Sequence, residues 1–438
     1  MKVHVKQLLL FCGILMFSIT GCKKIDIHFN GKPPVQKHLP ANVAVDWYKL
    51  QMRIMLERNS AFNGNANFGY LGIGLYEAVR YAIPNSVSLS SKLNQMPAMP
   101  AKENNNGYNW EVSANAAMAD MLRSFNTGLT AENIVSIDSL ENLYNSKFKP
   151  VSESKVFERS QTFGKNIANA IHEWYLTDDL NAGNTGYVPP VFPGAWIPTP
   201  PAFVNPPVNP YFGAARTFLV SDQDIVAPAP ITYSEELNSE FYKMVKEVYD
   251  VSKTLTSEQK DIALFWVDQG NGVGYTPPGH DFLFVTQAIE QAHADLGVAA
   301  EVFAKAGIAE RDGGIVCFRS KYTYNLLRPV SYIQKLIDPL WLSFIPTPPH
   351  PEYPAAHAFI TGSVMQAATR VLGDHIKVTD HSYDFRGVSP RTYSSIFAAG
   401  EEAGISRLYG GIHYHPSINV GLTEGKALGN RVGDIVLH

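Results

Sequence analysis

From Ala41 onward, apolar residues recur at three- and four-residue steps. Val45, Tyr48, Met52, Met55 and Leu56 fall on one helical stripe. The same period predicts helices near 67–82, 109–126, 131–146 and 153–176. It lapses over 177–232, where the stretch from Val188 to Ile231 holds eleven prolines. Proline lacks the amide that a helix needs, so this stretch reads as a long, ordered surface excursion or a lid. The helical period returns near 234–250, 257–268, 281–306, 311–337, 355–372, 391–408 and 416–436. Alternating strand patterns are scarce, and no repeat of fixed period is present. The expected fold is all-α: a large helical bundle with a proline-rich insertion.

The N-terminus follows a different pattern. Lys2 and Lys6 precede a short apolar run from Leu8 to Phe17, too short to span a bilayer as a mature helix. The run ends in Ile19-Thr20-Gly21-Cys22, which resembles a bacterial lipobox; an ordinary secretory peptide is the other reading. Residues 1–21 are therefore expected to be a signal peptide, with lipidation at Cys22. The expected segments after it are a tether over 22–40, a helical region over 41–176, the proline-rich excursion over 177–232 and a catalytic helical domain over 233–438. An exported, cell-envelope lipoprotein is the expected localisation, with membrane attachment through the lipid anchor only.

Composition narrows the function. Of 438 residues, 45% are hydrophobic and 17% charged, which suits a large apolar core and excludes a disordered chain. Net charge is −4, and removal of residues 1–21 leaves 34 basic against 40 acidic residues. That balance disfavours a nucleic-acid partner, which needs clustered positive charge. Three cysteines, Cys12, Cys22 and Cys317, are too few for a disulfide framework or a cysteine metal cluster.

Three C-terminal segments carry candidate chemistry. The first is KYTYNLLRP (321–329). Lys321 and Arg328 are seven apart, which on one helix puts two cations on a shared face. An anion between them would relieve their repulsion; two solvated surface cations are the plainer reading. The second is HPEYPAAH (350–357). Pro354 sits just ahead of a helix, so the free amides of Ala355, Ala356 and His357 can receive an oxyanion, with His357 beside it. The third is SRLYGGIH (406–413). Gly410-Gly411 should end the helix and let Arg407 and His413 point at one spot.

In this order, the three segments resemble the vanadium-dependent haloperoxidase and type 2 phosphatidic acid phosphatase superfamily. Its signature is Lys-x6-Arg-Pro, then Pro-Ser-Gly-His, then Ser-Arg-x5-His. FWVDQGNGVGYTPPGHDF (265–282) and the Asp312 to Tyr324 stretch also look like the bacterial haloperoxidase branch. The resemblance implies a helical bundle and a vanadate cofactor, with hydrogen peroxide and halide as substrates and pairing into a homodimer as a possibility. It implies that Lys321, Arg328 and Arg407 surround the oxyanion, that the Ala356 amide donates to it, and that His413 ligates vanadium. Lys321 would polarise peroxide and His357 would be the acid–base group. His350 falls where the family lines its halide pocket. Two alternatives remain. One is a periplasmic acid phosphatase, with no cofactor, in which a phosphate ester is attacked by His413 to give a phosphohistidine and His357 protonates the leaving oxygen. The other is a non-catalytic module binding an oxyanion or glycan.

Three positions depart from the signature. Ala355 replaces the usual Ser, Ala356 the usual Gly, and Ser417 an Asp that normally orients the histidine. Asp384, Glu401 and Glu424 are candidate substitutes for that carboxylate. Weaker features are the cluster Asp374, His375, Asp380, His381 and Asp384, which reads as a polar loop or a divalent-cation site. His413 and His415 would suit a metal on a strand, but Gly410-Gly411 and Pro416 argue against a strand. Asp312-Gly313-Gly314 reads as a turn or a loose helix start, and Phe265-Trp266 and Trp341-Leu342 as core aromatics.

Overall fold

The structure is a computed structural model that describes residues 39–58, 65–104, 106–178, 186–268 and 274–438. The expected signal peptide, Cys22 and nearly all of the tether lie outside the described residues. The first helices are α1 (Asn42–Arg58), α2 (Asn65–Val79), α3 (Trp110–Phe125), α4 (Ala131–Phe148) and α5 (Ser154–Tyr175), with side-chain caps starting α3 and α4. Thr130, for example, caps α4 by accepting from the Asn133 amide, while Asn133 returns a bond to the Thr130 amide.

The C-terminal half adds α6 (Glu240–Lys253), α7 (Ser257–Phe265), α8 (Pro277–Gln291) and α9 (Leu296–Tyr324). α10 (Pro329–Leu336), α11 (Ala356–Leu372), α12 (Ile396–Tyr409) and α13 (His415–Gly433) follow. Between α11 and α12 sits an antiparallel hairpin of β1 (Val378–Asp380) and β2 (Arg391–Tyr393), with Val378 opposite Tyr393. The expected helix over 391–408 thus begins as a strand.

α9 is the axis. Its 29 residues are buried over nearly their whole length, with α2 on one side and α11 on another. Here the expected boundaries move. The chain breaks at 292–295, where Asp295 caps α9 by accepting from the Val298 amide at 3.0 Å. It breaks again at Asn325, whose φ of 46° is left-handed. Asp312-Gly313-Gly314, expected as a turn or a loose helix start, lies mid-helix. The glycines are there for closeness: a Cβ on Gly313 would stand 2.6 Å from Ser363 Oγ of α11. Asp312 accepts from the Phe218 and Leu219 amides at 2.6 and 2.8 Å.

Those last two bonds also redefine the proline-rich excursion. It is a strap bound along α9. Arg319 donates to the carbonyls of Gly213, Asp222 and Ile225, and Ser320 accepts from the Ala227 amide. Farther along, Val208 donates to the Pro349 carbonyl at 3.0 Å and Trp196 to the Asn325 carbonyl at 2.6 Å. The strap's Phe212 and the loop at 345–350 are thereby placed over the end of α9 and the start of α11.

α13 approaches α11 through Gly421, Gly425 and Gly429, four residues apart. A Cβ on Gly425 would stand 2.3 Å from the Phe359 carbonyl oxygen. This close packing puts His413, just before α13, against the N-terminus of α11. Among the described residues, no helix is long and apolar enough to cross a membrane.

Candidate active site

The second and third sequence segments line a cavity of about 330 Å³, and the first stands one layer behind it. Its walls are apolar (Phe212, Phe318, Ile345 and Ile360 among them), and its polar surface includes Asp268, His350, His357, Arg407 and His413. Ala356 lines it at the start of α11, where the amides of residues 356–358 fall outside the helical ladder. The helix end therefore offers its free donors, and its positive dipole end, to an anion in the cavity.

His413 is held from both sides. Arg328 Nη1 lies 3.0 Å from its Nε2, and Glu352 Oε1 lies 2.7 Å from its Nδ1. A guanidinium only donates, so Nε2 is the acceptor and Nδ1 carries the proton. Burial, then the charges of Arg328 and Lys321, hold the imidazole well below its ordinary pKa. It is therefore neutral, with the Nε2 lone pair as its reactive atom. Ser417 is buried nearby and does not supply the orienting bond. That carboxylate is Glu352, in place of Asp384, Glu401 or Glu424. Its backbone position is set by the 350–354 turn, and it also accepts from the Tyr414 amide at 3.0 Å. Burial pushes the Glu352 carboxyl up, against the lowering pull of Lys321 and Arg328.

Lys321 and Arg328 do not share a helical face. Lys321 is in the last turn of α9, whereas Arg328 follows the left-handed Asn325 and caps α10. They meet because the chain turns between them. Neither lines the cavity; both stand one layer behind it. The Lys321 ammonium donates to the carbonyls of Pro351 (3.1 Å), Glu352 (2.8 Å) and Pro354 (2.5 Å). Burial pushes its pKa down, with Arg328 adding to the shift. Arg328 also donates to the His350 carbonyl at 2.9 Å, the Ile412 carbonyl at 2.9 Å and His350 Nδ1 at 3.1 Å. His350 is thus neutral, kept so by burial and Arg328, and it faces the cavity. Arg407, at the end of α12, donates to Ser406 Oγ at 3.0 Å and to the Trp266 carbonyl. Burial lowers the pKa of both guanidiniums to about 10, so both remain charged at neutral pH.

His357, in the first turn of α11, places Nε2 3.1 Å from Asp268 Oδ2. Burial and the Arg407 charge lower it to about 4, against the pull of Asp268. Asp268 Oδ1 takes bonds from His280 Nδ1 at 2.8 Å and the Tyr383 hydroxyl at 2.7 Å. Burial opposes that carboxylate's charge, but His280 and His357 hold it below its usual range.

All five expected side chains, Lys321, Arg328, His357, Arg407 and His413, are brought to one place. Glu352, Asp268 and His280 went unassigned in the sequence, although all three lie inside the quoted motifs. A carboxylate between two prolines in HPEYP, and an Asp twelve residues before a His in the 265–282 stretch, were the available signals. The weaker candidates disperse. His415 turns away to Glu247 at 2.9 Å. His381 pairs with Asp384 at 2.8 Å on the surface. Asp380, expected in a polar loop, is buried against His280 at 3.0 Å. Among the described residues, no group of three or more His, Cys, Asp or Glu side chains is arranged to hold a metal ion.

Comparison with known proteins bears on the whole architecture. Residues 301–438 match the family described as the VCPO second helical-bundle domain. The vanadium chloroperoxidase of Curvularia inaequalis is 25% identical over 264 residues, covering 49% of this chain and 43% of that protein. The match thus spans less than half of that relative's length. A crystal structure described as the first bacterial vanadium-dependent iodoperoxidase superposes with a TM-score of 0.80 at 29% identity, covering 91% of this chain and 97% of that one. A holo-type bacterial vanadium-dependent chloroperoxidase shares the fold, with a TM-score of 0.62 at 17% identity over 87% of this chain and 92% of that one. With its helical bundle and its C-terminal domain both matching, this chain is similar to the vanadium-dependent haloperoxidases.

Proposed function

We propose that this chain oxidises halide with hydrogen peroxide, using vanadate bound through His413. The observation that carries the reading is the His413 tautomer. Glu352 accepts the Nδ1–H, so Nε2 keeps a lone pair, here engaged by Arg328, on a side chain that lines a cavity with three buried cations around it. This donor set fits a small oxyanion: a neutral nitrogen for the metal, free helix amides, and guanidinium and ammonium charge. Arg407 and the Ala356 amide would hold the oxyanion from the cavity side, with Arg328 and Lys321 supplying charge behind it. Bound vanadate supplies Lewis-acid activation of peroxide toward halide.

The chain's own residues do the rest. His357 is neutral at working pH and has Nε2–H fixed on Asp268, so it can accept and return a proton at Nδ1. An anion at the helix start favours its protonated form and moves its pKa back toward neutrality. Phe212, Phe318 and Ile345 keep water low around the cations, which strengthens their charge. His350 borders the same space and is assigned to the halide.

Purified protein loaded with vanadate should halogenate a phenolic dye with peroxide, and iodide is the first halide to test. Turnover should vanish in His413→Ala. Absence of turnover with every halide overturns the reading. Aryl phosphate hydrolysis that vanadate inhibits would move it to a phosphohistidine phosphatase. The N-terminal reading has its own test: the full chain should take up labelled fatty acid in a bacterial host, and Cys22→Ser should not.

A further inference from the structure

Asp268 does not end the line of bonds behind His357. His280, on the first turn of α8, is fully buried, with Nδ1 2.8 Å from Asp268 Oδ1 and Nε2 3.0 Å from Asp380 Oδ2. Asp380 comes from β1 of the hairpin. Its Oδ1 accepts from Gln287 Nε2 at 3.1 Å, the Ser382 amide at 2.9 Å and the Ser382 hydroxyl at 2.5 Å. Asp268 in turn accepts from His280, His357 and the Tyr383 hydroxyl. Both carboxylates are surrounded by donors, so both are ionised. An imidazole bridging two carboxylate acceptors must carry a proton on each nitrogen. The Trp266 ring stacks on it with centroids 4.3 Å apart, closing its face.

We infer that His280 is a permanently charged positioning residue, which ties Asp268 to the β1–β2 hairpin and so fixes the ring orientation and proton affinity of His357. The inference rests on His357 being the acid–base group. The geometry agrees with the balance of charges. Burial opposes a charge on His280, but Asp268 and Asp380 outweigh it and raise its pKa to about 10. The titratable groups facing His280 are Asp268, Asp380, Tyr383 with its ring edge-on at 5.0 Å, His357 beyond Asp268 and, from its own helix, Asp281. Those facing His357 are Asp268, Arg407, His350 across the cavity and His280 itself. His280 therefore acts on His357 in two ways. Its charge lowers the affinity of His357 for a proton directly, and it neutralises part of the Asp268 charge that would raise it.

The first test needs no variant and no vanadate. In the full chain labelled with 15N-histidine, the His280 ring should keep both nitrogens protonated from about pH 6 to about pH 8.5. A neutral His280 ring in that range overturns the inference. In His280→Gln, the His357 midpoint should rise by at least about half a pH unit, and an unmoved midpoint overturns it. If that variant does not fold, Asp380→Asn should bring the His280 titration down into the measured range, and an unchanged midpoint is again fatal. In vanadate-loaded protein, His280→Gln should lower kcat about tenfold and shift the pH profile upward, with half-saturating vanadate unchanged within about twofold. A wild-type protein without peroxidase activity would overturn the proposed function, while the ring titrations would still decide this inference.

Discussion

The two histidines of the cavity have opposite surroundings. His413 has one carboxylate, Glu352, and a dense layer of cations: Arg328 against its Nε2, and Lys321 behind the same turn. His357 has one arginine nearby and a carboxylate whose far side is occupied by a charged imidazole and a tyrosine hydroxyl. Each imidazole donates one N–H to a carboxylate and keeps a lone pair on its other nitrogen, which in His413 accepts from Arg328. The lone-pair nitrogen of His413 lies among fixed positive charge, where a bound anion is stabilised. That of His357 is left to move a proton. The difference teaches that one fold uses the same His–carboxylate pair for holding and for proton transfer, and assigns the role by the charge around it.

Variants can separate the two neighbourhoods. His413→Ala should have the largest effect, because it removes the binding atom. Vanadate titration should show no saturable binding, and activity should fall by at least about 10³-fold. His357→Ala should lower kcat by about 10²–10⁴-fold while vanadate still binds. If it abolishes binding too, the division of labour is wrong. Glu352→Gln should weaken vanadate affinity about 10–100-fold, whereas Asp268→Asn should lower kcat by a similar factor with affinity retained. Equal effects of both variants on affinity would erase the contrast.

The smallest expected effect is on stability against pH. The folded His280 pKa of about 10 lies above its ordinary 6.5. Its stabilising contribution is complete below about pH 6.5 and is lost as pH rises through about 10. Asp281 and Asp312 are raised by burial to about 8. Their unfolded forms ionise from about pH 4 upward, so they too favour the fold less as pH climbs to about 8. The thermal midpoint should therefore fall steadily from about pH 6 to about pH 10. A midpoint that rises over this range would contradict the burial of these charges.

Much of this was readable from the chain. Helical periodicity and the proline-rich interruption indicated an all-α bundle, and the three ordered segments named five side chains that do meet. The failures have a common cause. The glycines of Asp312-Gly313-Gly314 read as a turn or a loose helix start because a local pattern cannot distinguish a glycine needed for φ from one needed for contact with α11. Lys321 and Arg328 read as one helical stripe because Asn325, a residue that tolerates the left-handed region, does not by itself decide that the helix ends there. The proline-rich stretch read as an ordered surface excursion or a lid, with its docking along α9 hidden, because its partners Arg319, Ser320 and Asp312 are about a hundred residues away in sequence.

The sequence by itself determined which residues are helical and which side chains can bear charge, lone pairs or protons, because these depend on local period and side-chain chemistry. Only the tertiary structure decided which carboxylate serves which histidine. Glu352 reaches His413 across 61 positions and Asp268 reaches His357 across 89. Pairings of that kind follow from how α9, α11 and α13 pack. Burial then converts the pairings into fixed tautomers and shifted proton affinities, because a buried charge persists only where partners surround it.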